Sequence, residues 1–238
     1  MSNVTYDAGN LTITLEGLDT VERALGDLKK KTPAAAKVAI NATAREARKL
    51  MVAQAKARYA VNAAGRKHLK DLVQRKKATN ASLSAELHIA SMRNDLGYFQ
   101  SSPTKAYTGV DVFRSAPSVV KGRVLKSSAM SPLSGGTHPI YGEVSKGFLV
   151  KFASGHVGMV QRDIGSSSKN TVTARGKPRW RNKAGKEGKV EKLVTMGSPS
   201  ATAMHNTIWP EVEPNVEEYL HNRLNEQVQK VLARAGKV

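Results

Sequence analysis

Apolar and polar residues first alternate regularly at Leu11-Thr12-Ile13-Thr14-Leu15, a period of two that predicts a short strand. Gly17 ends it. Asp19 or Thr20 is then placed to cap a helix whose apolar residues Leu18, Val21, Leu25 and Leu28 recur at helical spacing. Thr32-Pro33 reads as a second start, an N-cap followed by a proline at the first helical position. From Ala34 to about Ala60 the chain is Ala-rich and has no Gly or Pro, so it predicts one long helix. Ala36, Ile40, Ala44, Ala47, Met51 and Ala55 form its apolar stripe, and Lys37, Asn41, Arg45, Arg48, Lys49 and Lys56 line the opposite side.

Leu69, Leu72 and Val73 predict another short helix, after which the period returns to two. Leu83, Ala85, Leu87 and Ile89 alternate with polar residues; Val120, Gly122, Val124 and Lys126 do so less cleanly. Phe148, Val150 and Phe152 alternate again, and His156–Gln161 reads as the partner strand of a hairpin turning at Ser154-Gly155. A last helix is predicted from about Glu213 to Arg234, with the stripe Val216, Leu220, Leu224, Val228 and Val231 and a stop at Gly236. Glu213, Glu217 and Glu218 near its start and Lys230, Arg234 and Lys237 near its end complement the helix dipole.

The fold class implied is α+β: N-terminal helices and one long Ala-rich basic helix packed on a mainly antiparallel sheet, with a C-terminal helix. The expected organisation is a single domain over residues 1–238, with a basic loop or hairpin insert at about 163–192. Within it, Gly165–Glu191 has low hydrophobicity, and the one aromatic residue of that stretch is Trp180, set in Arg179-Trp180-Arg181. Stacking on a base is one role for Trp180, and anchoring a long loop is the other.

Charge changes the picture most. The excess of +19 is concentrated in two segments. Lys29–Lys77 holds 15 Lys/Arg against 2 acids, a net +13, and Gln161–Lys192 holds 10 against 3, a net +7. The rest of the chain, with 13 bases and 14 acids, is close to neutral. Positive fields of this kind attract polyanions, nucleic acid foremost. Besides the long helix, Arg75, Lys76 and Lys77 are candidates for such a surface, as are Arg179, Trp180 and Arg181.

Little supports catalysis. There is no cysteine, which removes disulfides, thiolate metal sites and a cysteine nucleophile. The histidines His68, His88, His138, His156, His205 and His221 show no metal-ligand spacing, and no phosphate-binding loop or nucleophile elbow is present. Asp95, Asp111 and Glu143 have no telling spacing. The expectation is a protein that is not an enzyme, with no metal and no cofactor. No run is long enough to cross a bilayer and no secretory signal is visible, so no membrane is expected.

Three stretches, in order, resemble the minor tail protein Z family of long-tailed bacteriophages and the wider group of neck and tail-completion proteins. The first is Leu18–Ala60, a short helix followed by an Ala-rich basic one. The second is Phe148–Arg162, whose Ser154-Gly155-His156-Val157-Gly158-Met159-Val160-Gln161-Arg162 is similar to the family's strand-turn-strand element, with Gly155, His156, Gly158 and Arg162 at its marked positions. The third is Leu193–Asn206, where Met196-Gly197-Ser198-Pro199-Ser200 stands at the place of the family's Gly-Pro-Ser turn; here the proline of Gly197, Ser198, Pro199 is displaced by one residue. Read from the residues alone these motifs are structural: glycines for tight turns, a turn histidine, and Ser198 as an N-cap with Pro199 at the first helical position.

The resemblance implies a structural virion protein that completes the head-proximal end of the tail and supports head-tail joining as a ring around the DNA channel. It would reside in the tail's neck region, and in the host cytoplasm during assembly. The implied partners are copies of itself (a hexamer favoured, a dodecamer matching portal symmetry), tail terminator and head-tail connector rings, and the end of packaged DNA in the lumen. The alternative class is a stand-alone, non-specific nucleic-acid-binding protein.

Overall fold

The strand expected at Leu11–Leu15 exists and has a partner on either side. In the computed structural model, residues 2–7, 9–15, 18–71, 73–90, 94–106, 120–133, 136–138, 142–152, 154–164 and 193–236 are described. The chain begins with strands β1 (Ser2–Asp7) and β2 (Asn10–Leu15), then helix α1 (Asp19–Leu25), a 3₁₀ turn (Gly26–Lys31), and helices α2 (Thr32–Arg58) and α3 (Ala63–Asp71). Strands β3 (Val73–Lys76), β4 (Ser84–Ile89) and β5 (Asn94–Asp95) follow, then a 3₁₀ turn at Leu96–Tyr98 and β6 (Gln100–Ser102). After them come β7 (Lys121–Arg123), β8 (Ser131–Pro132), β9 (Gly136–His138), β10 (Gly142–Val144), β11 (Phe148–Lys151), β12 (Val157–Arg162), β13 (Leu193–Thr195) and β14 (Gly197–Ser198). Helix α4 (Ala201–Arg234) closes the chain. Every strand pairing is antiparallel, and the fold is α+β.

The residues form two compact units. One comprises Met1–Ala57, Lys67–Arg93 and Pro199–Val238, the other Arg58–Arg66 and Asn94–Ser198.

The first unit holds a four-stranded sheet in the order β1-β2-β4-β3. Its register places Ile13 opposite both Val4 and Ala85, and Leu11 opposite Leu87, all buried. Glu86 and His88, one residue out of phase, face solvent, as the alternation requires. Helix α4 lies against β1, where Tyr6 stacks on Trp209 with ring centroids 5.2 Å apart and donates its hydroxyl to Asn206 Oδ1 at 2.7 Å. Burial of that phenol raises its pKa to about 12. Ala36, Ile40, Ala44, Ala47, Met51 and Ala55 of α2 are all fully buried, as their spacing predicts. The buried face is wider than that stripe and also takes in Ala35, Ala39, Ala42, Thr43 and Val52. Val21 and Leu25 of α1 pack with Val228 of α4, joined by Leu28, Leu224, Val231 and Leu232.

The second unit holds a three-stranded sheet, β11-β12-β13, with a core of Val120, Phe148, Leu149, Val150, Met159 and Val160. Smaller pairings add β6-β7-β8, β9-β10 and β5-β14. Asn62 organises its helical start. Its Oδ1 accepts the Gly65 N–H at 2.9 Å, capping α3, and its Nδ2 donates to the carbonyls of Gly97 and Phe99 at 2.7 and 3.1 Å.

Several boundaries differ from the sequence expectation for physical reasons. No side chain caps α1; its N-cap is Leu18, and Asp19 and Glu22 sit in the first turn. Thr32 does not cap α2, because the 3₁₀ turn runs into the helix and holds Thr32 at helical angles. Its buried hydroxyl oxygen has no partner among the described residues. Val73 does not continue a helix: it pairs with Ile89 and opens β3. Helix α4 begins twelve residues before Glu213, with Pro210 and Pro214 inside it. Both prolines are exposed, so the interrupted backbone bonds turn toward water. Glu213, Glu217 and Glu218 therefore lie mid-helix rather than at its positive end, and the first turn carries no acid. Gly236, at φ +67°, ends the helix as expected.

Candidate functional site

Helix α2 has 27 residues and spans roughly 40 Å at 1.5 Å per residue. Its solvent side carries Arg45, Lys49 and Lys56 exposed, with Lys37 and Arg48 half-buried. At the centre of that side is Asn41, one turn from both Lys37 and Arg45. Its Nδ2 donates to the Ala78 carbonyl at 2.9 Å, and its Oδ1 accepts the Ala78 N–H at 3.0 Å. This two-point clamp seats the segment after β3 on the basic side of α2. Lys76 and Lys77, both exposed, arrive with it. The two halves of the +13 segment thus meet on one surface.

The surface contains few anions. Lys49 pairs with Glu46 at 3.0 Å, and Lys76 pairs across the strands with Glu86 at 3.3 Å. Lys37, Arg45, Lys56 and Lys77 have no ion pair among the described residues. Like charges one helical turn apart, as at Arg45 and Lys49, cost roughly 0.2–0.5 kcal/mol each. Such an arrangement does nothing for folding and favours an external anion. Arg75 lies in β3 opposite Leu87. Arg179, Trp180 and Arg181, with most of the 163–192 insert, lie outside the described residues.

The Gly155–Arg162 motif forms a structural site in the second unit. Gly155 sits at φ +84°, a conformation that favours glycine, and donates its N–H to the Phe152 carbonyl at 2.9 Å, closing the hairpin at the expected turn. His156 Nε2 lies 3.0 Å from Asp95 Oδ2, and its ring is parallel to that of Phe152 and tilted against that of Tyr98. Asp95 Oδ1 accepts the N–H groups of Gly97 at 2.7 Å and Met159 at 2.9 Å. Burial, and secondarily the Asp95 charge, raises the Tyr98 phenol pKa. At Gly158 a Cβ would stand 2.5 Å from Asp95 Oδ2 and 2.7 Å from the Phe152 ring, so glycine is required by packing. Arg162 places its guanidinium 5.4 Å from the Phe148 ring centroid.

Gly197 and Ser198 pair with Asp95 and Asn94 as β14. The N-cap of α4 is not Ser198 but Ser200, whose hydroxyl oxygen accepts the Ala203 N–H at 3.1 Å. Pro199 precedes that cap instead of occupying the first helical position.

The sequence put Asn41 on the polar side of α2 and gave Asp95 no telling spacing, and it assigned neither a partner. Each is an ordinary polar residue whose partners are distant in the chain, 61 residues for Asp95–His156 and 37 for Asn41–Ala78. Among the described residues there is no cluster of three His, Asp or Glu able to hold a metal ion. Among them, too, no helix is long and apolar enough to cross a membrane. No protein-family model, curated protein or solved structure matches the chain.

Proposed function

We propose that this chain is a structural virion protein that completes the head-proximal end of a bacteriophage tail, forming a ring around the DNA channel and supporting head-tail joining. The observation that carries this reading is the single basic surface made when Asn41 clamps Ala78 onto α2. With Lys37, Arg45, Lys56 and Lys77 lacking local counter-charges, it suits a partner that supplies a row of phosphates and needs no base reading. The tail protein Z resemblance adds the location. Its motif residues act here as hairpin and core supports, which suits a scaffold role rather than a reaction.

A ring of such surfaces would build an anion-attracting collar able to hold the end of packaged DNA. Tail terminator and head-tail connector rings are its neighbours in this reading. Six copies match tail symmetry. The test is charge reversal at Arg45 and Lys77 together, in a phage carrying this protein. Tails that assemble but fail to retain DNA support the collar. Absent neck assembly means that the surface grips an acidic ring instead, and wild-type particles overturn both. A purified chain that binds duplex DNA but forms no ring at any concentration would favour the stand-alone nucleic-acid-binding alternative.

A further inference from the structure

Two further surfaces in the first unit are complementary in charge and share an apolar centre. Between the 3₁₀ turn at Gly26–Lys31, the first turns of α2 and the last turn of α4 lies an open groove of about 490 Å³. Leu28, Val38 and Val231 form its apolar lining, and Lys31 and Arg234 stand in its wall. Val38 is 41% exposed, one of only two large hydrophobics so exposed among the described residues. Neither Lys31 nor Arg234 has an ion pair among the described residues.

The counterpart is on the middle of α4. Pro210 and Pro214, one turn apart, form an exposed apolar ridge, and Glu217 and Glu218 are exposed beside it with half-buried Glu213. None of these three carboxylates has an ion pair among the described residues. Two features here work against the isolated helix. Interior prolines, which lack the N–H of a helical hydrogen bond, disfavour a helix strongly relative to Ala. Glu213 and Glu217, at i and i+4, repel one another. Glu217 and Arg234 are 17 residues apart on one continuous helix, roughly 25 Å along its axis, so the ridge cannot reach the groove of its own chain.

We propose that the Pro210–Pro214 ridge of one copy seats in the Leu28–Val38–Val231 groove of a second copy, with Glu217 and Glu218 meeting Lys31 and Arg234. Because the two surfaces are different, the contact is head-to-tail, the kind that closes into a ring when the rotation per copy divides the circle. The proposal rests on the ring reading above and names its joining surfaces.

Sedimentation velocity across a concentration series tests it, using the full chain and four variants. Lys31→Glu/Arg234→Glu alone and Glu217→Lys/Glu218→Lys alone should each weaken self-association at least about tenfold, since like charges are juxtaposed across the interface. Combining all four changes in one chain should restore it. Pro210→Ala/Pro214→Ala should raise the melting temperature while weakening association, an opposition that a merely structural role would not give. An oligomer unchanged by both charge reversals overturns this contact and leaves the ring reading standing. A wild-type chain that stays monomeric at every concentration overturns the ring reading and the contact together. Duplex-DNA binding, measured alongside, should not be weakened in Glu217→Lys/Glu218→Lys monomers that fold, which separates this surface from the Arg45–Lys77 face.

Discussion

Asp95 and His156 are joined by a 3.0 Å contact that ties the Gly155 hairpin to the 3₁₀ turn at Leu96–Tyr98, because the other oxygen of the same carboxylate holds the Gly97 and Met159 amides. Asp95 is only 9% exposed. Asp95→Ala would strand two buried amides and the imidazole, and should cost about 3 kcal/mol. Asp95→Asn, which keeps an acceptor, should cost less. Urea unfolding of both variants measures the difference; equal stabilities would mean the carboxylate has no such role.

Two glycines should resist alanine for opposite reasons to propensity. Gly65 lies inside α3, where alanine is normally favoured by about 1 kcal/mol. A Cβ there would stand 2.2 Å from the Tyr98 carbonyl oxygen, and one at Gly158 would meet Asp95. Both Gly65→Ala and Gly158→Ala should lower stability by roughly 1–3 kcal/mol, the range typical of overpacking. By contrast, Gly155 has open space around it, so Gly155→Ala should cost only the left-handed backbone penalty, about 1–2 kcal/mol. Thermal melts of the three variants check the order.

His205 should give the protein a pH-dependent stability near neutrality. Its ring is fully buried, and neither nitrogen has a hydrogen-bond partner among the described residues. Burial lowers its pKa from 6.5 to about 4. The unfolded chain therefore takes up a proton before the folded one does, and stability falls as pH drops below 6.5, levelling out near 4. The loss between pH 7.5 and pH 5 should be about 2 kcal/mol. His205→Met should remove this part of the dependence and leave the neutral-pH stability equal or higher. Denaturant unfolding at the two pH values is the measurement.

Asn41→Leu should lose the clamp on Ala78 at both points, costing about 1–3 kcal/mol through the stranded backbone groups. Hydrogen exchange at the Ala78 amide should accelerate in this variant, while amides in β11 and β12 keep their protection. An unchanged Ala78 rate would refute the clamp.

The elements readable in the sequence were those whose signal is local. The α2 stripe from Ala36 to Ala55 repeats every turn, and the Gly155 hairpin needs only its own few residues; both lie where their patterns put them. Strand β1 escaped notice because Val4 and Tyr6 make sense only beside Ile13 and Leu11. The first turns of α4 were hidden by Pro210 and Pro214, which read as helix breakers in the sequence yet lie inside the helix on its exposed side. Of the candidate site, the cations on α2 were legible from charge and spacing. Their union with Lys76 and Lys77 depended on Asn41 reaching a backbone 37 residues away, which no local pattern encodes.

The claim that Arg45 and Lys77 belong to one phosphate-binding surface is tested most directly by the salt dependence of binding to random-sequence duplex DNA. Each phosphate contact contributes about 0.9 to the slope of log K against log salt. Arg45→Gln and Lys77→Gln should each weaken binding at every sequence and reduce the slope by about one, and the double variant by about two. Slopes identical to wild type in both single variants would contradict the account.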